Sequence, residues 1–194
     1  MKSYKGFTQH LFGVNKIGNP ASGKKGAGFT LIELLVVIAI IGILSTLALT
    51  AVSLARGKAK VAKARQEVDQ IVTALKFLEN DAGEWPGHQP IDVMCGNLPG
   101  GCPPDNEICS DGCAYGIASG YAGLAADDTD TPYTNWNGPY MLNIPLDPWG
   151  NEYFFDTDYN YSGFGDVVVV GSYGSNGEGN NLYDSDDIIK VIYQ

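Results

Sequence analysis

Positive charge is almost missing from the C-terminal part of this chain. Residues 81–194 hold eighteen acids and a single cation, Lys190, for a net −17. Phosphate recognition needs Lys and Arg gathered in a patch, so this part is a poor partner for nucleic acid and none is expected. Histidine is nearly as scarce, with only His10 and His88 in 194 residues. There is no G-x-S-x-G elbow and no H-E-x-x-H pair, so hydrolytic chemistry has no constellation to rest on and no enzyme is expected. The glycines at 171, 174, 177 and 179 lack the Lys-Ser/Thr of a phosphate loop. A C-x2-C knuckle is absent too: Cys95, Cys102, Cys109 and Cys113 run C-x6-C-x6-C-x3-C. That spacing does not suit a tetrahedral zinc site. Two disulfides in an oxidising compartment fit better than free thiols or a metal, with three pairings open.

What the chain does have is a long apolar run. Leu34 to Ala55 is free of charge, and as a helix it would be about 33 Å long, enough for a hydrocarbon core of about 30 Å. Residues 1–28 carry five lysines and no acid, like the basic start of a secretory signal. Yet the run is longer than a signal core and no small-residue cleavage site follows it. Instead come Arg56, Lys58, Lys60, Lys63 and Arg65. Val61, Ala64, Val68, Ile71, Leu75 and Leu78 then repeat at spacings of three and four, an apolar stripe along one side of a helix. Asp81-Ala82-Gly83 and Pro86 supply stop signals. The reading is one helix over 29–80, transmembrane over about 34–55.

Residues 81–194 form the expected globular head. Strand signals fall at Tyr153–Phe155, Val167–Val170 and Ile188–Tyr193, giving an α+β fold with a small C-terminal antiparallel sheet and a loop-rich remainder. Asp156-x-Asp158-x-Asn160 opens like an EF-hand, but Tyr161 replaces the glycine and Val167 the closing acid, so a turn is expected. His88, beside Pro90, reads as an exposed loop residue.

Glu33 puts one carboxylate at the entrance of the apolar run, which costs about 2.5–3.5 kcal/mol even on lenient scales unless it is hydrated or partnered. Its surroundings, K-K-G-A-G-F-T-L-I-E-L-L-V-V-I-A-I-I-G-I-L, closely resemble the prepilin N-terminal motif of type IV pilins and type II secretion pseudopilins. The resemblance implies a pilin-like precursor whose leader, 1–28, is removed by a prepilin peptidase between Gly28 and Phe29. It implies N-methylation of Phe29, and a Glu33 that neutralises the freed amino terminus of a neighbouring subunit during assembly. A buried acid and a buried amine, each costly alone, are tolerable as a pair. The implied partners are further copies of the chain, the inner-membrane assembly platform, minor pseudopilins and the membrane itself. The implied location is a single pass of the cytoplasmic membrane with the head outside the cytoplasm, then a periplasmic or extracellular filament. Counting Lys and Arg near the helix ends gives the opposite orientation; the cysteines agree with the family.

In the head, Asn137-Gly138-Pro139-Tyr140 followed by Asp147-Pro148-Trp149-Gly150-Asn151-Glu152-Tyr153 is similar to the C-terminal domain of major pseudopilins. Pro148 and Gly150 suit a turn that delivers Trp149 to the core. The stretch from Gly171 to Gly177, closing at Asp184-Ser185-Asp186-Asp187, resembles that family's calcium loop. Matched by position, the resemblance implies calcium ligands at Tyr173, Asn176, Asp186 and Asp187, with Asp184 an extra candidate in a longer loop. Asn176 stands where the family usually has Asp, which removes one negative charge. Residues 86–136, cysteines included, depart from the family pattern and read as an insertion; Thr50 stands where many members have a helix-bending proline. The expected function is a structural subunit of a type II secretion pseudopilus. The alternatives are a type IV pilin, major or minor, serving adhesion, motility or DNA uptake, or a membrane-anchored binding module.

Overall fold

A computed structural model describes residues 28–94, 107–108, 115–161, 165–178 and 185–194. One α-helix, α1, runs unbroken from Leu31 to Ala82. The chain divides into two compact units, Met1–Leu47 and Ala48–Gln194. In the first, the described residues are the start of α1 and the three before it. Its apolar side chains are exposed all round, Phe29 by 85% and Leu31 by 82%. α1 is long and apolar enough to cross a membrane, and no soluble packing explains so much uncovered hydrocarbon.

In the second unit α1 buries one stripe: Ala64, Val68, Ile71, Val72, Ala74, Leu75 and Leu78. This is the expected stripe, except that Val61 is only half covered. The helix ends two residues later than Asn80. Asp81 and Ala82 both tolerate helical geometry, and the break falls at Gly83, whose φ of 74° continues no right-handed helix. Gly57 and Thr50 interrupt nothing.

Four antiparallel strands form the main sheet, in the order β3 (Glu107–Ile108), β4 (Phe154–Tyr161), β5 (Gly165–Ser172) and β6 (Ile188–Tyr193). A small hairpin joins β1 (Glu84–Trp85) to β2 (Gln89–Pro90). Why β5 is a run of four valines is visible in its packing. Val168 and Val170 join Tyr153 and Phe155 in the core against α1. Val167 and Val169 pack on the opposite face with Phe154, Tyr159 and Tyr173. A strand covered on both faces has no polar alternation to show.

Two expectations need correction. The Asp156-x-Asp158 segment is not a turn: it lies within β4, with a register shift between Asp156 and Tyr159. Trp149 does not enter the core. It is half-buried, with the Lys60 ammonium 5.7 Å from its ring centroid. The stretch 86–136, which reads as an insertion, supplies part of the core. Ile108, Ile117, Ala122, Leu124 and Tyr133 are core residues, and β3 adds the sheet's fourth strand.

Candidate functional site

At the N-terminus the local chemistry is a capping box. The Thr30 amide and hydroxyl both donate to Glu33 Oε2 at 2.8 Å, and the Glu33 amide donates to Thr30 Oγ1 at 3.2 Å. The T-x-x-E signature lay in the sequence unread. In a single chain, then, Glu33 serves the start of its own helix, and its acidity also complements the positive end of the helix dipole. Gly28 and Phe29 directly precede the helix, outside any regular element.

In the head, the two family-like motifs are joined through one buried carboxylate. Asp147 is 4% exposed. Its Oδ1 accepts the amides of Trp149, Gly150 and Asn151 at 2.9, 2.8 and 2.9 Å. Its Oδ2 accepts the Ser172 hydroxyl at 2.7 Å, and Ser172 Oγ in turn accepts the Gly174 amide at 3.1 Å. So the turn after Asp147 is fixed to the loop that follows β5. Tyr140, the other motif residue, donates its hydroxyl to Asp81 Oδ2 at 3.1 Å and thereby ties to the last turn of α1.

The loop after β5 closes on Asp186. Its Oδ2 accepts the Ser175 amide, the Ser175 hydroxyl and the Asn176 amide at 2.8, 2.9 and 2.9 Å. Gly174, at φ 68°, approaches so closely that a Cβ there would strike the Asp186 carbonyl. Asn176 Oδ1 accepts the Glu178 amide at 2.9 Å. Asp187 Oδ2 accepts the Tyr159 hydroxyl at 2.8 Å, and Tyr173 is buried, its ring stacked on Phe154 at 4.5 Å. Tyr173, Asn176, Asp186 and Asp187 therefore gather in one loop system, whose donors are all oxygen, the set a hard cation needs. Asp184 and the four cysteines lie outside the described residues.

Two further clusters escaped the sequence reading. Glu107, Asp156 and Asp158 bring carboxylate oxygens within 4.8 Å of one another, close enough for one proton or one cation to be shared. Burial, with Asp158 alongside, holds the Asp156 carboxyl up at about 9 and Glu107 at about 6. The D-x-D spacing was visible, but Glu107 joins it only through the β3–β4 pairing. His88 is not an exposed loop residue. It is 22% exposed, stacks on Tyr133 at 3.9 Å, and sets Nδ1 2.7 Å from Glu84 Oε2 and Nε2 3.5 Å from Asp128 Oδ2. Tyr133 is the peg of this corner: its hydroxyl accepts the Gly87 amide at 2.8 Å and donates to the Tyr121 carbonyl at 2.7 Å. Burial pushes its phenol well above the usual range.

Residues 23–49 match the family model of the prokaryotic N-terminal methylation motif, and residues 117–190 match that of type II secretion system protein G. The second match begins inside the stretch that reads as an insertion. The chain is 28% identical over 160 residues to the type II secretion system core protein G of Pseudomonas aeruginosa, covering 81% of this chain and 92% of that one. It is 28% identical over 131 residues to the protein of the same description from Aeromonas hydrophila, covering 67% and 72%. Its structure is similar to the major pseudopilin from the type 2 secretion system of enterohaemorrhagic Escherichia coli at a TM-score of 0.42 and 19% identity, over 69% of this chain and 88% of that one. A methylation motif opening a membrane-anchoring helix, followed by a small antiparallel head, defines a pilin-like structural subunit. Within that class, residues 117–190 form a type II secretion protein G domain, and the chain is a structural subunit of the pseudopilus.

Proposed function

We propose that the chain is made as a precursor, cut by a prepilin peptidase between Gly28 and Phe29, methylated on Phe29, and polymerised through the exposed apolar part of α1. The observation that carries this reading is the helix itself. From Leu31 to Leu54 its large apolar side chains are uncovered, a surface suited to lipid and to other copies of the same helix. Glu33 is the one charged residue between Phe29 and Ala55. Cutting at Gly28 would free an amine four residues before it, so that the carboxylate can exchange its own Thr30 cap for a neighbour's amine and fix the axial register of the two helices. The head faces away from the cytoplasm, where Cys95, Cys102, Cys109 and Cys113 pair as two disulfides. Calcium, held by Tyr173, Asn176, Asp184, Asp186 and Asp187, would cross-link the loop between β5 and β6 and stiffen the head. The inner-membrane assembly platform and minor pseudopilins complete the set of partners.

Glu33 has two candidate roles, cap and charge partner, and two substitutions separate them. Gln can replace Glu in a capping box but carries no charge. Glu33→Gln and Glu33→Ala should both be processed normally and both fail to assemble, as read by filament yield after overexpression. Normal filaments from the Gln variant would reduce Glu33 to a helix cap.

A further inference from the structure

The pseudopilus reading leaves the five cations of Arg56–Arg65 without a task. We propose that they form a collar that binds anionic lipid headgroups, in the leaflet where α1 leaves the bilayer toward its C-terminus. The inference rests on the membrane-anchored state of α1 and goes beyond the filament role.

Charge and position come first. Arg56 directly follows the uncharged run from Leu34 to Ala55, and no acid lies between Glu33 and Glu67. With the run across the hydrocarbon core, Arg56 sits at the headgroups. From there Arg65 lies about 14 Å further along the axis. In a helix every Cα–Cβ bond tilts toward the N-terminus, here toward the bilayer, and long Lys and Arg side chains reach back while their stems cover apolar surface.

Distribution around the helix selects the partner. At about 100° per residue, Lys58 and Arg65 fall on the side opposite Arg56, Lys60 and Lys63. One neighbouring head would meet only one side of this arrangement. A plane of headgroups pierced by the helix meets every side at once. All five side chains are exposed. Lys63 pairs with Glu67 at 3.5 Å and Lys60 lies over Trp149, whereas Arg56, Lys58 and Arg65 have no hydrogen-bond or ion-pair partner among the described residues. Those three are the lipid contacts the proposal needs most. Juxtamembrane cations of this kind attract acidic lipids through a field that decays within a Debye length.

The test uses the full chain reconstituted in phosphatidylcholine vesicles containing trace spin-labelled phosphatidylglycerol or spin-labelled phosphatidylcholine. Electron paramagnetic resonance then reads the immobilised fraction of each lipid. The wild-type chain should immobilise phosphatidylglycerol in preference, on the order of five-fold, the worth of about one surface-bound cation. High salt should abolish the preference. Arg56→Gln, Lys58→Gln and Arg65→Gln together should bring it near parity, while Lys76→Gln, an exposed change further along α1, should leave it intact. Equal immobilisation of the two lipids by the wild-type chain overturns the proposal, as does an undiminished preference in the triple variant. An undiminished preference together with weakened self-association in the triple variant would assign the cations to a second copy instead. If the chain washes off the vesicles at high pH, the anchored state and the collar fall together. If it stays and shows no preference, the collar alone falls.

Discussion

Removing the Asp147 carboxylate should cost the head far more than its place in a surface turn suggests. Asp147→Ala strands three amide donors and one hydroxyl, all now within 2.7–2.9 Å of its two oxygens. Hydrogen bonds to a charged acceptor contribute about 1.5–3 kcal/mol each, but donors that reach water recover part of this and neighbouring losses do not add. Trp149 is half-buried and Gly150 is exposed, whereas Ser172 is fully buried beside the loop it braces. A total loss of about 3–5 kcal/mol follows, comparable to breaking a buried polar network. For a unit of this size that lowers the melting temperature by about 10–20 °C. Asp147→Asn keeps an oxygen for the three amides and offers its amide to the Ser172 hydroxyl, so it should lose only about 1 kcal/mol. Thermal denaturation of the two variants in the same detergent, followed by near-ultraviolet circular dichroism, gives the comparison. Equal and small losses in the two variants would refute the view that this carboxylate holds both loops.

Calcium should raise the melting temperature of the full chain, since a ligand that binds only the folded state adds about 2.7 kcal/mol at a hundred times its dissociation constant; identical melting curves in saturating calcium and in chelator would remove the metal from the account. In chelator, stability should fall as pH rises. Folded Asp156 keeps its proton to about 9 and folded Glu107 to about 6, while both release it near 4 when unfolded. The folded state thus binds more protons between those limits, and the stabilisation, complete below about pH 4, disappears through pH 6 and then 9. Asp156→Asn retains the acceptor for the Asp158 amide, now bonded at 2.8 Å, and should flatten denaturant midpoints measured at pH 5, 7 and 9. An unchanged slope would contradict the shared-proton reading of that cluster.

Local periodicity explains what was legible. The three-and-four spacing from Ala64 to Leu78 and the four consecutive valines of β5 state their burial directly, because helix and strand faces repeat at fixed intervals. What was missed depends on residues far apart in the chain. Glu107 meets Asp156 only through a strand pair, and His88 meets Tyr133 and Asp128 only across the folded corner. The turn after Asp147 was recognised, but the wrong side chain was assigned inward. The acid is buried because four donors compensate it, and the tryptophan stays at the surface under Lys60. Glu33 shows the reverse case: its capping box with Thr30 is local and legible, and stands beside the intermolecular role that the resemblance implies.

The most direct test of the whole account is the mass of the chain's N-terminus after recovery from cells. A polymerising, membrane-anchored subunit should begin at Phe29, one methyl group heavier than the bare residue, with the apolar helix retained. A chain that still begins at Met1, or one trimmed beyond Ala55, would contradict it.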